Sequence, residues 1–285
     1  MKRLLAELRS YIFSNVPGAY VWGMSRAGKT FAFESVIPRL TNRLDEPVFT
    51  HIYSANQYFR TTDNKMWTDI LQSLNHPLAQ QGYAIDKFWR LVGCLADRAS
   101  LNSTNQALFV IDNAEDWTPT NYHYLKGLFN VLKQRDINLC FVSVGTEELH
   151  NWVQNYKGHQ APHLRGRFFV TYHNFTGLKG SSDVQHALKQ IDTGDARENI
   201  GPGAATSTYV PTAFAHGFRL STYAPLIWEV FKDIRAKNAD DQWPMQYFTS
   251  TLEVLLMDVL APRDTACLEV TEEDVARAIG ASHMP

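Results

Sequence analysis

The segment Gly23-Met24-Ser25-Arg26-Ala27-Gly28-Lys29-Thr30 sets two glycines, a lysine and a hydroxyl residue at the spacing G-x-x-x-x-G-K-T. The glycines let the backbone wrap closely around an anion, so that successive N–H groups point at phosphate oxygens. Lys29 adds a point charge for the β- and γ-phosphates, and the Thr30 hydroxyl is placed to hold Mg²⁺. The chemistry implied is binding of a nucleoside triphosphate, with all eight residues as its cradle.

Such a loop needs a metal-orienting acid at the end of a neighbouring buried strand. Asp112 stands there, directly after the apolar run A-L-F-V-I, with capping of the following turn as its alternative role. Hydrolysing proteins of this kind commonly carry a glutamate next, to orient the attacking water. Here Asn113 occupies that place and the nearest acid is Glu115. Either Glu115 reaches the water, or Asn113 positions it weakly, or turnover is slow; slow or partner-stimulated ATP hydrolysis is the expectation. Ser143, near the end of L-C-F-V-S-V, is expected at the γ-phosphate or lytic water unless it only forms a turn, and Thr146 is its substitute. Arg165 and Arg167, in L-R-G-R-F, suit the spreading charge of a phosphoryl-transfer transition state, one of them supplied by a neighbouring subunit. A surface salt bridge is the alternative for both. Arg219 and Arg235 are weaker candidates from the C-terminal part.

These residues need a scaffold, and the first 175 or so positions alternate strand and helix signals, the mark of a parallel sheet flanked by helices. Strands are expected at Ala19 to Trp22, Val48 to Tyr53, Ala107 to Ile111, Leu139 to Val144 and Phe169 to Tyr172. Helices are expected at Phe31 to Arg43 (interrupted by Pro38), Lys65 to Leu74, Ile85 to Ala99 and Asn121 to Gln134. The fold class read from this is α/β, a P-loop nucleotide-binding core over residues 1–175, with a small helical lid over 176–285. Residues 193–208, rich in Gly, Ala, Ser and Thr, read as a flexible loop. Later helices are expected at Ala224 to Lys237, Met245 to Leu260 and a last one to Ile279, capped by Thr271.

Composition excludes several classes. With 45% hydrophobic and 20% charged residues the chain is ordinary for a globular protein, and no run approaches the roughly 18 apolar residues of a membrane span. Cys94, Cys140 and Cys267 lie far apart, so buried thiols in a reducing cytoplasm are expected rather than disulfides. The ten histidines show no metal-ligand spacing. A net charge of −2 leaves any nucleic-acid contact to a local basic strip.

Taken together, the motifs resemble the AAA+ ATPases that regulate DNA transposition, the TnsC/TniB/MuB group. The resemblance runs from about Tyr20 to Phe168, in the group's order: G-M-S-R-A-G-K-T, H-I-Y, F-V-I-D, L-K-G-L-F-N-V-L-K, I-N-L-C-F-V-S-V-G-T-E-E-L and L-R-G-R-F. The stretch from L-K-G-L-F-N to V-G-T-E-E-L is the most group-specific. The resemblance implies ATP and Mg²⁺ as cofactors, bound between adjacent subunits of a homo-oligomeric ring or helical filament on double-stranded DNA, without base specificity. It also implies partners: a transposase and, in some members, a TniQ-type adaptor, including in CRISPR-associated transposons. By position Arg167 looks like the group's trans-acting arginine, while Asn113 departs from the usual acid.

In the resembled group the stretch after the second strand faces DNA. Here it holds Arg60, Thr61, Thr62 and Lys65, which could grip phosphates without reading bases, or form a solvated loop and helix cap. The function so implied is an ATP-dependent transposition regulator. The rivals are a helicase-loader or defence-system AAA+ ATPase acting on a protein client, and a slow-hydrolysing nucleotide switch.

Overall fold

Continuous apolar runs at Ala107 to Ile111 and Leu139 to Val144 call for strands covered on both faces, and the computed structural model places them at the centre of a five-stranded parallel sheet. It describes residues 2–57, 62–155, 162–193, 206–235 and 242–282. These divide into two compact units: residues 1–23 with 29–175, and residues 24–28 with 176–285.

In chain order the first unit holds α1 (Lys2–Phe13), β1 (Gly18–Trp22), α2 (Lys29–Val36), β2 (Phe49–Ser54), α3 (Asp63–Ser73), α4 (Ala84–Ala99), β3 (Gln106–Asp112), α5 (Pro119–Gln134), β4 (Asn138–Gly145), α6 (Glu147–Asn155), α7 (Pro162–Phe168) and β5 (Thr171–Asn174). The strand order is β2-β3-β4-β1-β5. Because side chains alternate across a strand, odd positions of β3 and β4 face one layer and even positions the other. Ala107, Phe109, Phe141 and Tyr20 join Leu125, Leu128 and Phe168 in one core. Leu108, Val110, Cys140, Val142, Ala19 and Val21 join Leu4, Leu8 and Phe33 in the second.

Several sequence expectations shift here. Pro38 turns the end of the expected Phe31 to Arg43 helix into a short 3₁₀ turn, Ile37–Arg39, so α2 stops at Val36. The last strand begins two residues later than expected because Phe168 and Phe169 are buried in the first core.

The second unit holds α8 (Ser181–Thr193), α9 (Thr206–Tyr209), α10 (Pro211–Ala215), α11 (Ala224–Arg235), α12 (Met245–Val254) and α13 (Glu272–Ala281). Its core centres on Trp243, fully buried and stacked on Phe231 at 4.2 Å. Of the loop expected near 193–208, residues 194–205 lie outside the described residues. Thr193 closes α8 and Thr206 opens α9, where Asp192 accepts the Thr206 hydroxyl at 2.8 Å and the Leu220 and Ser221 N–H groups at 3.0 and 2.9 Å. The expected Met245 to Leu260 helix changes at Val254 into a π-helical stretch, Leu255–Leu260, and Pro262 follows. Thr271 caps α13, accepting from the Asp274 N–H. Among the described residues no helix is long and apolar enough to cross a membrane. The three cysteines are free; Cys140 is buried, Cys94 half-buried and Cys267 exposed.

Candidate functional site

The carboxyl ends of the strands carry the site, as expected for an open parallel sheet. Gly23, just past β1, donates its N–H to the Gly145 carbonyl at 3.2 Å, tying the loop's start to the end of β4. A β-carbon on Gly23 would stand 1.9 Å from the Phe175 carbonyl oxygen, so the first motif glycine is required by close backbone approach. Lys29 opens α2, and its Nζ donates to the Gly23 carbonyl at 2.9 Å, folding the lysine back across the loop. Burial pushes the Lys29 ammonium below its usual range, against the opposing pull of the Glu115 and Asp112 carboxylates.

Thr30 donates its hydroxyl to Asp112 Oδ2 at 2.7 Å. Two hard oxygen groups in contact, one from a helix start and one from a strand end, fit Mg²⁺, which takes few protein ligands and completes its shell with water and phosphate. Among the described residues no group of three or more His, Cys, Asp or Glu forms a metal cluster.

The two candidates for orienting water diverge. Asn113 takes a left-handed conformation (φ 55°) and its side-chain amide donates to the Ser54 hydroxyl at 3.2 Å, on the β2 side. Glu115, in the 3₁₀ turn Ala114–Asp116, reaches the β4 side: Oε1 accepts the Thr146 N–H at 3.2 Å. Its Oε2 is buried without a hydrogen-bond partner among the described residues. Gly145 makes room for it, since a β-carbon there would lie 2.3 Å from that oxygen. A half-buried carboxylate with one free oxygen, electrically coupled to Lys29, is chemically suited to hold a water.

Ser143 lies on the opposite face of the sheet from the apolar residues of α2. It has the parity of Phe141, faces α5, is fully buried and shares a 3.1 Å hydrogen bond with the Tyr122 hydroxyl. Thr146, immediately past β4, is the polar side chain at the strand end, with Oγ1 buried and without a hydrogen-bond partner among the described residues. The remaining loop residues, Met24 to Gly28, pack in the second unit. There Arg26 (φ 63°) donates to the Tyr247 hydroxyl and lies over its ring, while its carbonyl accepts the Gln246 N–H at 3.1 Å. Gly28 has φ 90°, a conformation that favours glycine. The Arg26–Tyr247 pair has no signature in the sequence.

Arg165 and Arg167 lie on α7, Arg165 exposed and Arg167 half-exposed with a hydrogen bond from Nη1 to the His163 carbonyl at 3.0 Å. The Arg167 carbonyl packs on Gly18, the first residue of β1. The phosphate loop leaves from the other end of that strand, roughly 16 Å away at the rise of a β-strand. Arg167 therefore stands beyond reach of its own Lys29 and Thr30. Arg219 donates to the Phe214 and Phe218 carbonyls and lies over the Phe214 ring. Thr62 caps α3, accepting the Lys65 N–H, and Lys65 pairs with Asp69 at 3.4 Å. Arg60 and Thr61 lie outside the described residues.

The parallel sheet, phosphate loop and Thr30–Asp112 pair are those of a P-loop ATPase, and residues 17–153 match the family model of an AAA domain. Among solved structures the chain is similar to the ORC2 protein of Aeropyrum pernix in its ADP form, with TM-score 0.59 and 14% identity over 97% of this chain and 66% of that one. The same protein in ADPNP-ADP complexes gives TM-score 0.59 and 14% identity over 99% and 67%. Drosophila ORC bound to DNA gives TM-score 0.48 and 14% identity over 98% and 58%. The chain thus spans about two thirds of the length of the ORC2 protein, and at this identity the likeness is one of fold. No curated protein sequence matches the chain.

Proposed function

We propose that this chain is an ATP-dependent DNA transposition regulator that assembles on double-stranded DNA and links target-site selection to a transposase, directly or through a TniQ-type adaptor. The AAA+ class rests on the fold and the domain match; the narrower group rests on the motifs between Leu125 and Leu149. One observation carries the assembly reading: the phosphate loop leaves the carboxyl end of β1 while Arg167 is fixed at its amino end. Each copy then holds two half-sites: Thr30 and Asp112 would hold Mg²⁺ with the nucleotide, and ATP would join one copy's loop to the next copy's guanidinium. Mg²⁺ supplies charge neutralisation on the phosphates there.

DNA contact is assigned to the start of α3. The Lys65–Asp69 pair is exposed on the lysine side, and such a pair is worth about 0–1 kcal/mol, small enough for a DNA phosphate to displace. One or two basic groups per copy suffice when repeated along an assembly.

Electron microscopy and sedimentation with random-sequence duplex and a non-hydrolysable ATP analogue test this reading. Rings or filaments should form, weaken steeply with salt, and be lost in Lys65→Ala with Arg60→Ala. Absence of DNA-dependent assembly would instead favour a protein client, as in a helicase loader or defence system. The bond from Asn113 to Ser54 favours the slow-switch reading, which brisk turnover abolished by Glu115→Gln would exclude.

A further inference from the structure

Among the described residues seven non-glycine positions take a positive φ, and six of them are Asn or Asp, whose short polar side chains tolerate the left-handed region. Arg26, at φ 63°, is the exception. For such a side chain the left-handed conformation is disfavoured by a factor of roughly 5–30. It persists only where the surroundings over-determine it, and such positions concentrate at ligand clamps. Arg26 stands in the middle of the phosphate loop, with Ala27 between it and Gly28 at φ 90°. Left-handed residues in such a turn bring successive N–H groups to one side, and the concavity so formed receives an anion. The unfavourable backbone at Arg26 is therefore part of the shape of the cradle.

The start of α12 holds it there, and both segments belong to the second unit. Gln246 donates its N–H to the Arg26 carbonyl at 3.1 Å, using a first-turn donor that no carbonyl of its own helix can satisfy. The Arg26 guanidinium donates from Nη1 to the Tyr247 hydroxyl and stands 5.1 Å from the centre of that ring. The helix start is itself fixed. Trp243, fully buried and stacked on Phe231, donates its N–H to the Leu178 carbonyl at 2.8 Å and accepts the Leu178 N–H at 2.9 Å. Pro244 is the N-cap of α12, and Tyr247 is buried in the same core.

We propose that Tyr247 is a positioning residue for nucleotide binding: by holding Arg26 left-handed, it keeps the phosphate cradle formed before ATP arrives. A site formed in only a fraction of the molecules binds with an affinity reduced by that fraction, so the factor of roughly 5–30 is the most this contact contributes. Bound phosphates hold the loop themselves, so the gain falls on binding rather than on turnover. Nothing in this role needs DNA or a second copy, so it stands or falls apart from the transposition reading.

The test is titration of the full chain with a fluorescent ATP analogue, beside steady-state kinetics and melting curves. Tyr247→Ala should weaken affinity and raise KM about tenfold, with kcat moving less than about twofold; Tyr247→Phe, which keeps the ring, should fall between it and the parent. Glycine enters the left-handed region freely, so Arg26→Gly should bind about tenfold more tightly than Arg26→Ala, although both lack the guanidinium. Tyr247→Ala added to Arg26→Gly should then change affinity less than about twofold, because the conformation no longer needs holding. A purely structural Tyr247 would lower the melting temperature and weaken binding alike in both backgrounds, which would overturn the inference. Parent affinity in Tyr247→Ala would overturn it too. Equal affinities of Arg26→Gly and Arg26→Ala would show that the guanidinium acts as a charge and not through its backbone, with the same result. Arg26 is exposed, so its two variants decide the matter even where Tyr247→Ala fails to fold.

Discussion

Gly145→Ala tests the placement of Glu115 without touching the carboxylate itself. The added β-carbon would stand 2.3 Å from Glu115 Oε2 and 2.9 Å from two carbons of Leu149. Ordinary contact begins near 3.4 Å, so the carboxylate must retreat by about 1 Å. A displacement of that size at a reacting group costs on the order of 100-fold in rate. Crowding against Leu149 adds about 1–3 kcal/mol of destabilisation, as overpacked sites do. For a chain of this size that lowers Tm by roughly 2–10 °C. The assay is steady-state phosphate release at saturating ATP, beside nucleotide affinity and a melting curve. We expect turnover to fall about 100-fold with affinity within about threefold. Glu115→Gln should produce a similar loss, and the double variant should lose little more than either single one, because both act through one carboxylate. A folded Gly145→Ala protein that turns over ATP at the parent's rate would refute the assignment of Glu115.

Lys29→Ala should reduce ATP affinity by at least about 30-fold, the loss of a charge-assisted contact worth roughly 2–3 kcal/mol, measured by titration calorimetry. Thr30→Ala should remove most of the Mg²⁺ dependence of nucleotide affinity while leaving metal-free binding near the parent's, because it deletes one partner of the Thr30–Asp112 pair. Gly23→Ala should prevent stable folding or cut expression sharply, since its β-carbon meets backbone 1.9 Å away. His51, hydrogen-bonded to Ser73 at 2.8 Å, is held down to about 4 by burial and then by Arg98. The unfolded chain therefore binds more protons there, so this contribution is full above pH 6.5 and is lost as pH falls toward 4. Discounted for partial exposure it is about 2 kcal/mol, and His51→Gln should flatten the melting-temperature profile between pH 7 and 5.

The strands and the phosphate loop were legible because continuous apolar runs and the G-x-x-x-x-G-K-T spacing depend on local chemistry alone. Asp112 followed from the end of one such run. Ser143 shows where that logic stops: its place in the chain is near a strand end, but the pleat sends it to the α5 side, and parity across a sheet is settled by packing. Asn113 and Glu115 could not be separated from sequence because a left-handed turn at Asn113 decides which side chain faces β4. Segments α6 and α7 passed without assignment; α7 is short, and its place is fixed by the burial of Leu164 and Phe168. The Arg26–Tyr247 contact joins positions 221 residues apart, which no local pattern encodes.

The anchoring of Arg167 on Gly18 makes β1 a gauge. In the proposed assembly, five residues of strand, with Ala19 and Val21 fully buried, would set the separation between a copy's own nucleotide and the one it reaches for next door. In such an assembly that separation would be counted once per copy, so a small bend in the strand would accumulate as pitch. Substitutions at Ala19 or Val21 would then alter the periodicity of the assembly on DNA while leaving the chemistry at either end untouched.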